Sequence, residues 1–333
     1  DEAGTAITTG DDNVAVGYAA LDANITGAKN IAIGTNALGL NTVSYNVAIG
    51  YAALDANSTG TQNVAMGYAA LGANTTANYN VAIGTNALVT NTTGASNTAV
   101  GENSMNANTT ADGGTAVGAN ALDANTTGAN NTAVGKSSLS ANNTGHSNVA
   151  VGALALGVNT TGTSNVAVGM NVLLANTTGA NNTAVGKGAL DANTEANYNS
   201  AFGERSLSAN TTGANNTAVG SQALMANTTA ANNTAVGYAA LGANTTGAGS
   251  VAVGKDALYT NTEGNNNIAV GAVSLDANTT GDNNIGIGHA ALGANTTADS
   301  NTAVGFLCLQ TNTTGAHNVA MGAYALDANT TAA

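Results

Sequence analysis

Six aspartates, Asp22, Asp55, Asp123, Asp191, Asp276 and Asp327, recur at one phase of this sequence, and paired carboxylates about 5 to 10 Å apart are what cleavage of a glycosidic bond requires. No two of them fall in neighbouring repeats, so the sequence offers spaced, solvated acids and no acid–base pair. His146, His289 and His317 occupy different phases and have no nucleophile partner, which leaves neither a triad nor a metal cluster. Cys308 is the one cysteine; it excludes an intrachain disulfide and stands where other repeats carry Ala or Ser, as a small packed residue would. The expectation is a chain that is not an enzyme and holds no cofactor or metal.

The remaining chemical motif is the N-glycosylation acceptor Asn-X-Ser/Thr. It occurs at sixteen of nineteen equivalent asparagines: Asn24, Asn41, Asn57, Asn74, Asn91, Asn108, Asn125, Asn142, Asn159, Asn176, Asn193, Asn210, Asn227, Asn244, Asn261, Asn278, Asn295, Asn312 and Asn329. Asn41, Asn193 and Asn261 are retained although Val43, Glu195 and Glu263 destroy the acceptor motif. Glycans on every repeat would also collide at a strand spacing of about 4.8 Å. The asparagines are therefore read as a structural amide ladder, each bonding to the repeat above and below, with sparse glycosylation or threonine modification as the alternative.

What must position these residues is a repeat. Asn130-Asn131-Thr132-Ala133-Val134-Gly135 recurs, with variation, nineteen times, and its closing glycines from Gly17 to Gly322 are 17 residues apart except for a 16-residue step from Gly34 to Gly50. Such a period predicts a single all-β domain over residues 1–333, a parallel β-solenoid whose coils stack about 4.8 Å apart into a rod of roughly 90 Å. The short step predicts a tightened turn between Asn41 and Asn46. The residues three and one before each glycine are Val, Ile, Thr, Ser, Met or Phe, and the one between is Ala in all but Gly286, a period-2 strand pattern. Read by hydropathy, Val14 and Val16 face the core, and the alanine file faces outward, where neighbouring chains could approach closely.

A second arm is marked four residues after each glycine by Leu, with Met105 the one departure. It is too short for a stable helix and is expected to be extended or irregular. The position after the glycine is the most variable and is expected to face solvent; Tyr18, Tyr51, Tyr68 and Tyr238 there are candidate contacts for a glycan or receptor. Threonine files such as Thr75-Thr76 and Thr92-Thr93 could order water as ice-binding solenoids do, although Val43, Asn143, Glu195 and Glu263 interrupt them.

Composition excludes other classes. Only five residues, Lys29, Lys136, Lys187, Arg205 and Lys255, are permanent cations against a formal charge of −13, so neither nucleic acid nor an anionic membrane surface is an expected partner. No apolar run long enough to span a membrane is present. Charged residues make up 7% while Val, Ile and Leu keep fixed phases, which argues against disorder.

The hexads Asn130 to Gly135 and Tyr45-Asn46-Val47-Ala48-Ile49-Gly50 resemble the Asn-Ser-Val-Ala-Ile-Gly motif of YadA-like heads, the head repeats of trimeric autotransporter adhesins, which have relatives in bacteriophage tail fibres. The resemblance covers nearly the whole chain, although those repeats are about 14 residues long and no neck, stalk or anchor segment accompanies these. It implies a left-handed parallel β-roll, three chains side by side, and display on a cell surface or virion. Both termini fall in mid-repeat, as in a piece cut from a longer array or a subunit that stacks end to end. The expected function is thus a structural or adhesive extracellular fibre whose partners are copies of itself, as a homotrimer or a filament, and cell-surface glycans or receptors.

Overall fold

The structure, a computed structural model, describes residues 2–331. The described residues contain no helix; they form nineteen parallel strands of three residues each, the β-solenoid that the 17-residue period predicts. Two compact units, Asp1–Ser164 and Asn165–Ala333, make up the chain. The first carries β1 (Val14–Val16) to β9 (Val149–Val151) and the second β10 (Val166–Val168) to β19 (Val319–Met321).

Within each unit every strand pairs in parallel with the next coil's, like residue against like: Val14 with Ile31, Ala15 with Ala32, Val16 with Ile33. The 16-residue step keeps this register, Ile31 opposite Val47. The lost residue is absorbed in the turn, where Asn41 Nδ2 reaches Val43 O two residues on, whereas its counterpart Asn57 reaches Gly60 O three residues on.

Each strand stops at its glycine for two reasons. Gly135 has φ 130°, a region closed to side-chain-bearing residues, and a Cβ there would stand 2.7 Å from the carbonyl carbon and oxygen of Gly152 in the next coil. The leucine arm that follows is irregular but hydrogen-bonded. Ser137 and Leu139 have φ 54° and 50°, a left-handed geometry that costs a non-glycine residue about 1 kcal/mol or more. Backbone bonds between coils hold them there: Ser137 N–H donates to Ala119 O at 3.0 Å and Leu139 N–H to Ala155 O at 2.9 Å.

The strand faces are the reverse of the hydropathy reading. In no strand is either outer residue buried, whereas the central Ala or Gly is buried in all but β1. Ala133 is fully buried; Val134 beside it is 36% exposed. The reason is the narrow cross-section of the coil. The leucines, Leu21 to Leu309, fill the interior from the second arm, and a Cβ built on Gly286 would already lie 3.2 Å from Leu275 Cγ. With a leucine across the coil, only alanine or glycine fits on the strand's inner side, and Val and Ile are turned out.

Candidate functional site

The turn asparagines form the ladder. In the first unit Asn57 Nδ2 donates to Asn41 Oδ1 at 2.9 Å, and the pattern continues rung by rung to Asn159 Nδ2 on Asn142 Oδ1 at 2.7 Å. In the second it runs from Asn193 on Asn176 at 2.8 Å to Asn329 on Asn312 at 3.1 Å. Each amide also closes its own turn, as Asn142 Nδ2 does on Gly145 O at 2.8 Å. At the first rung Asn24 Oδ1 instead accepts Gly27 N–H at 3.0 Å. From Asn24 to Asn312 these ladder side chains are fully buried, so within the folded coil none of their amides is open to a glycosyl donor.

A second file of asparagines, four residues before each glycine, was not anticipated from the sequence. Asn46 Oδ1 accepts Asn63 N–H at 3.0 Å, and its Nδ2 donates to Gly60 O at 2.8 Å, the same carbonyl that takes Asn57 Nδ2. One turn carbonyl thereby ties both files together. The signal lay in the constancy of this asparagine, the second residue of the recurring hexad. Its two departures have different remedies. Ser250 substitutes its hydroxyl, accepting Asn267 N–H at 3.1 Å. At Gly114 the vacated space is taken by the long side chain of Met105, whose Cε lies 2.4 Å from where a Gly114 Cβ would be. The one methionine and the one glycine of their files are thus a matched pair.

The six equivalent aspartates lie along the leucine arm. Partial burial pushes Asp55, Asp123, Asp191 and Asp276 above the ordinary carboxylate range, offset at Asp191 by its own and Ala192's backbone N–H groups and by Arg205. Asp22 accepts the Thr5 hydroxyl. Among the described residues no three His, Cys, Asp or Glu side chains converge as a metal site would need. Cys308 is buried, its Sγ 3.3 Å from Ala320 O, and burial raises its thiol pKa.

Tyr18, Tyr51, Tyr68 and Tyr238 are all at least half exposed, and Tyr51 stacks on Tyr68 of the next coil with ring centroids 5.3 Å apart. Of the threonine files the first is committed to the coil, Thr75 Oγ1 donating to Thr92 O at 3.2 Å and Thr92 Oγ1 to Thr109 O at 3.1 Å. The second, at Thr76, Thr93 and Thr110, is exposed.

In each unit the outer face of the strands is uncovered. Both outward positions are Val, Ile, Thr, Ser, Met or Phe in all nineteen strands, and none is charged. Ile33, Met66, Ile83, Phe202 and Ile287 all stand exposed there. Among the described residues no helix is long and apolar enough to cross a membrane. Fold and ladder define the class of the chain: a parallel β-solenoid repeat protein with an internal asparagine ladder. No protein-family model matches it, and neither does any curated protein.

Proposed function

We propose that this chain is a non-enzymatic structural segment of an extracellular fibre, akin to YadA-like adhesin heads or phage tail-fibre repeats, in which three copies lie side by side through their outward strand faces. The observation that carries the reading is the charge-free apolar face left uncovered on every strand. The lateral surface is therefore the Val/Ile face and not the alanine file. Burying the exposed part of one such Val contributes about 0.5–1 kcal/mol, and a face of nine or ten strands repeats that gain along its length. Exposed Tyr18, Tyr51, Tyr68 and Tyr238 are the surface such a fibre offers to glycans or receptors.

Light scattering tests the assembly. The expected mass is that of a trimer, reduced to a monomer by Val134→Lys with Val151→Lys, and the circular dichroism spectrum stays unchanged because both side chains point outward. A monomer mass for the unsubstituted chain across a wide concentration range sinks the proposal, and growth without limit favours end-to-end stacking. Ice-recrystallisation inhibition at low concentration would transfer the function to water ordering by the threonine files.

A further inference from the structure

The position five residues after the corner glycine, a stacked file on the leucine arm, reads Asp276, Gly293, Gln310 on three successive coils of the second unit. Gly293 leaves a gap of one side chain between a carboxylate and an amide whose rungs lie about 10 Å apart. The gap opens into a shallow cavity of about 530 Å³ lined by Val273, Asp276, His289, Leu307, Gln310 and Thr311. His289 in its wall heads a run of three rings on consecutive coils: His289 stacks on Phe306 with centroids 5.6 Å apart, and Phe306 meets Tyr324 edge-on at 5.5 Å. In a chain that is 3% aromatic, this is the longest run of ring contacts among the described residues.

The chemistry of the lining narrows the ligand. The His289 ring with Val273 and Leu307 suits the C–H face of a sugar ring; Asp276 accepts hydrogen bonds, and Gln310 both donates and accepts. The Thr311 hydroxyl is given to the backbone carbonyls of Asp327 and Asn329, so it serves only as an acceptor. No Lys or Arg lines the groove, Asp276 is an anion within it, and the chain carries a net charge of −13, which together disfavour phosphate, sulfate and acidic sugars. We propose that the groove at Gly293 binds a neutral pyranose of an oligosaccharide chain, seated between Asp276 and Gln310 against His289. The proposal is independent of lateral assembly, because none of these residues lies on the strand face.

Maltotriose and triacetylchitotriose are the probes, titrated into the ¹⁵N-labelled full chain and followed by amide chemical shifts. At least one should perturb His289, Gly293 and Gln310 saturably, with a dissociation constant in the millimolar range that an open, shallow groove supports. Gly293→Leu fills the gap and is expected to weaken that binding about tenfold or more, a loss of about 1.4 kcal/mol. The coil tolerates it, since Leu174 and Met225 occupy the same phase in this unit. Gly72→Leu, at the same phase of the first unit, should leave binding unchanged. No saturable shift with either sugar overturns the proposal, as does equal binding by Gly293→Leu with its circular dichroism spectrum intact. Light scattering of the same variant reports assembly separately.

Discussion

Asn142 donates its amide Nδ2 to Asn125 Oδ1 across 2.8 Å while its own Oδ1 accepts Asn159 Nδ2 at 2.7 Å, so one buried side chain couples three successive coils. Replacing it with alanine removes the partner of the buried Asn125 Oδ1 and one of the partners of the buried Asn159 Nδ2, which keeps Gly162 O at 3.0 Å. Asn142→Ala is expected to cost about 3 kcal/mol, whereas Thr144→Ala, exposed two residues on, should cost less than about 0.5 kcal/mol. Native-state hydrogen exchange is the suitable measurement, because a stacked array opens locally. Protection should fall first around Asn125, Asn142 and Asn159; unaltered protection there would show that the ladder contributes little.

Met105 and Gly114 should behave as a coupled pair. Met105→Leu restores the usual core residue but leaves the space beside Gly114 empty, at a cost of about 1 kcal/mol. Gly114→Asn alone drives a new side chain into the methionine and should cost about 1–3 kcal/mol. The double substitution recreates the rung found in neighbouring coils and should be more stable than either single variant. Denaturant unfolding of the full cycle checks this; additive losses would remove the pairing.

Acid should stabilise the fold at first. Burial raises the pKa of Asp55, Asp123, Asp191 and Asp276 in the folded chain above the value of about 3.9 they have when unfolded. A folded state that holds protons more tightly gains stability as pH falls through the raised pKa, and the gain is complete below the unfolded value. Relief of the −13 charge acts in the same direction. The thermal midpoint should therefore rise between pH 7 and pH about 4, and Asp55→Asn with Asp123→Asn should flatten that rise. A midpoint that falls steadily with acid contradicts the assignment.

The buried acceptor asparagines of the ladder should be modified only when the coil is open. Oligosaccharyltransferase given the folded chain is expected to leave Asn57, Asn142 and Asn244 untouched, because their amides are fully buried and hydrogen-bonded, and to modify the urea-denatured chain after dilution. Glycopeptide mapping at these three asparagines distinguishes the two. A glycan at Asn57, Asn142 or Asn244 of the folded chain would mean that the turn opens far more readily than its bonds imply.

Much of the architecture is legible in the residues themselves. A glycine every 17 positions, with like residues at like phases, leaves parallel in-register stacking as the arrangement that puts every corner over a corner; Gly135 over Gly152 bears this out. The ladder follows in the same way, since an asparagine that survives the loss of its glycosylation motif at Val43, Glu195 and Glu263 must serve the coil. The position after the glycine is recognisable as surface because Tyr, Lys, Glu and Phe all occur there.

Three things required the closed coil. Alternation along Val149-Ala150-Val151 defines two faces but not which one is inside; Leu of the second arm decides that, filling the cross-section so that Ala turns in and Val turns out. The left-handed geometry of Leu139 conflicts with its intrinsic preference and is imposed by bonds to the next coil. His289 belongs to one phase and Asp276 and Gln310 to another, each on a different coil, and only the folded coil brings the two files together around the gap at Gly293. The sequence by itself determined the period, the register and the ladder, because these depend on residue identity repeated at fixed spacing. The tertiary structure alone decided inside from outside and where side chains converge, because those depend on the space the coil encloses.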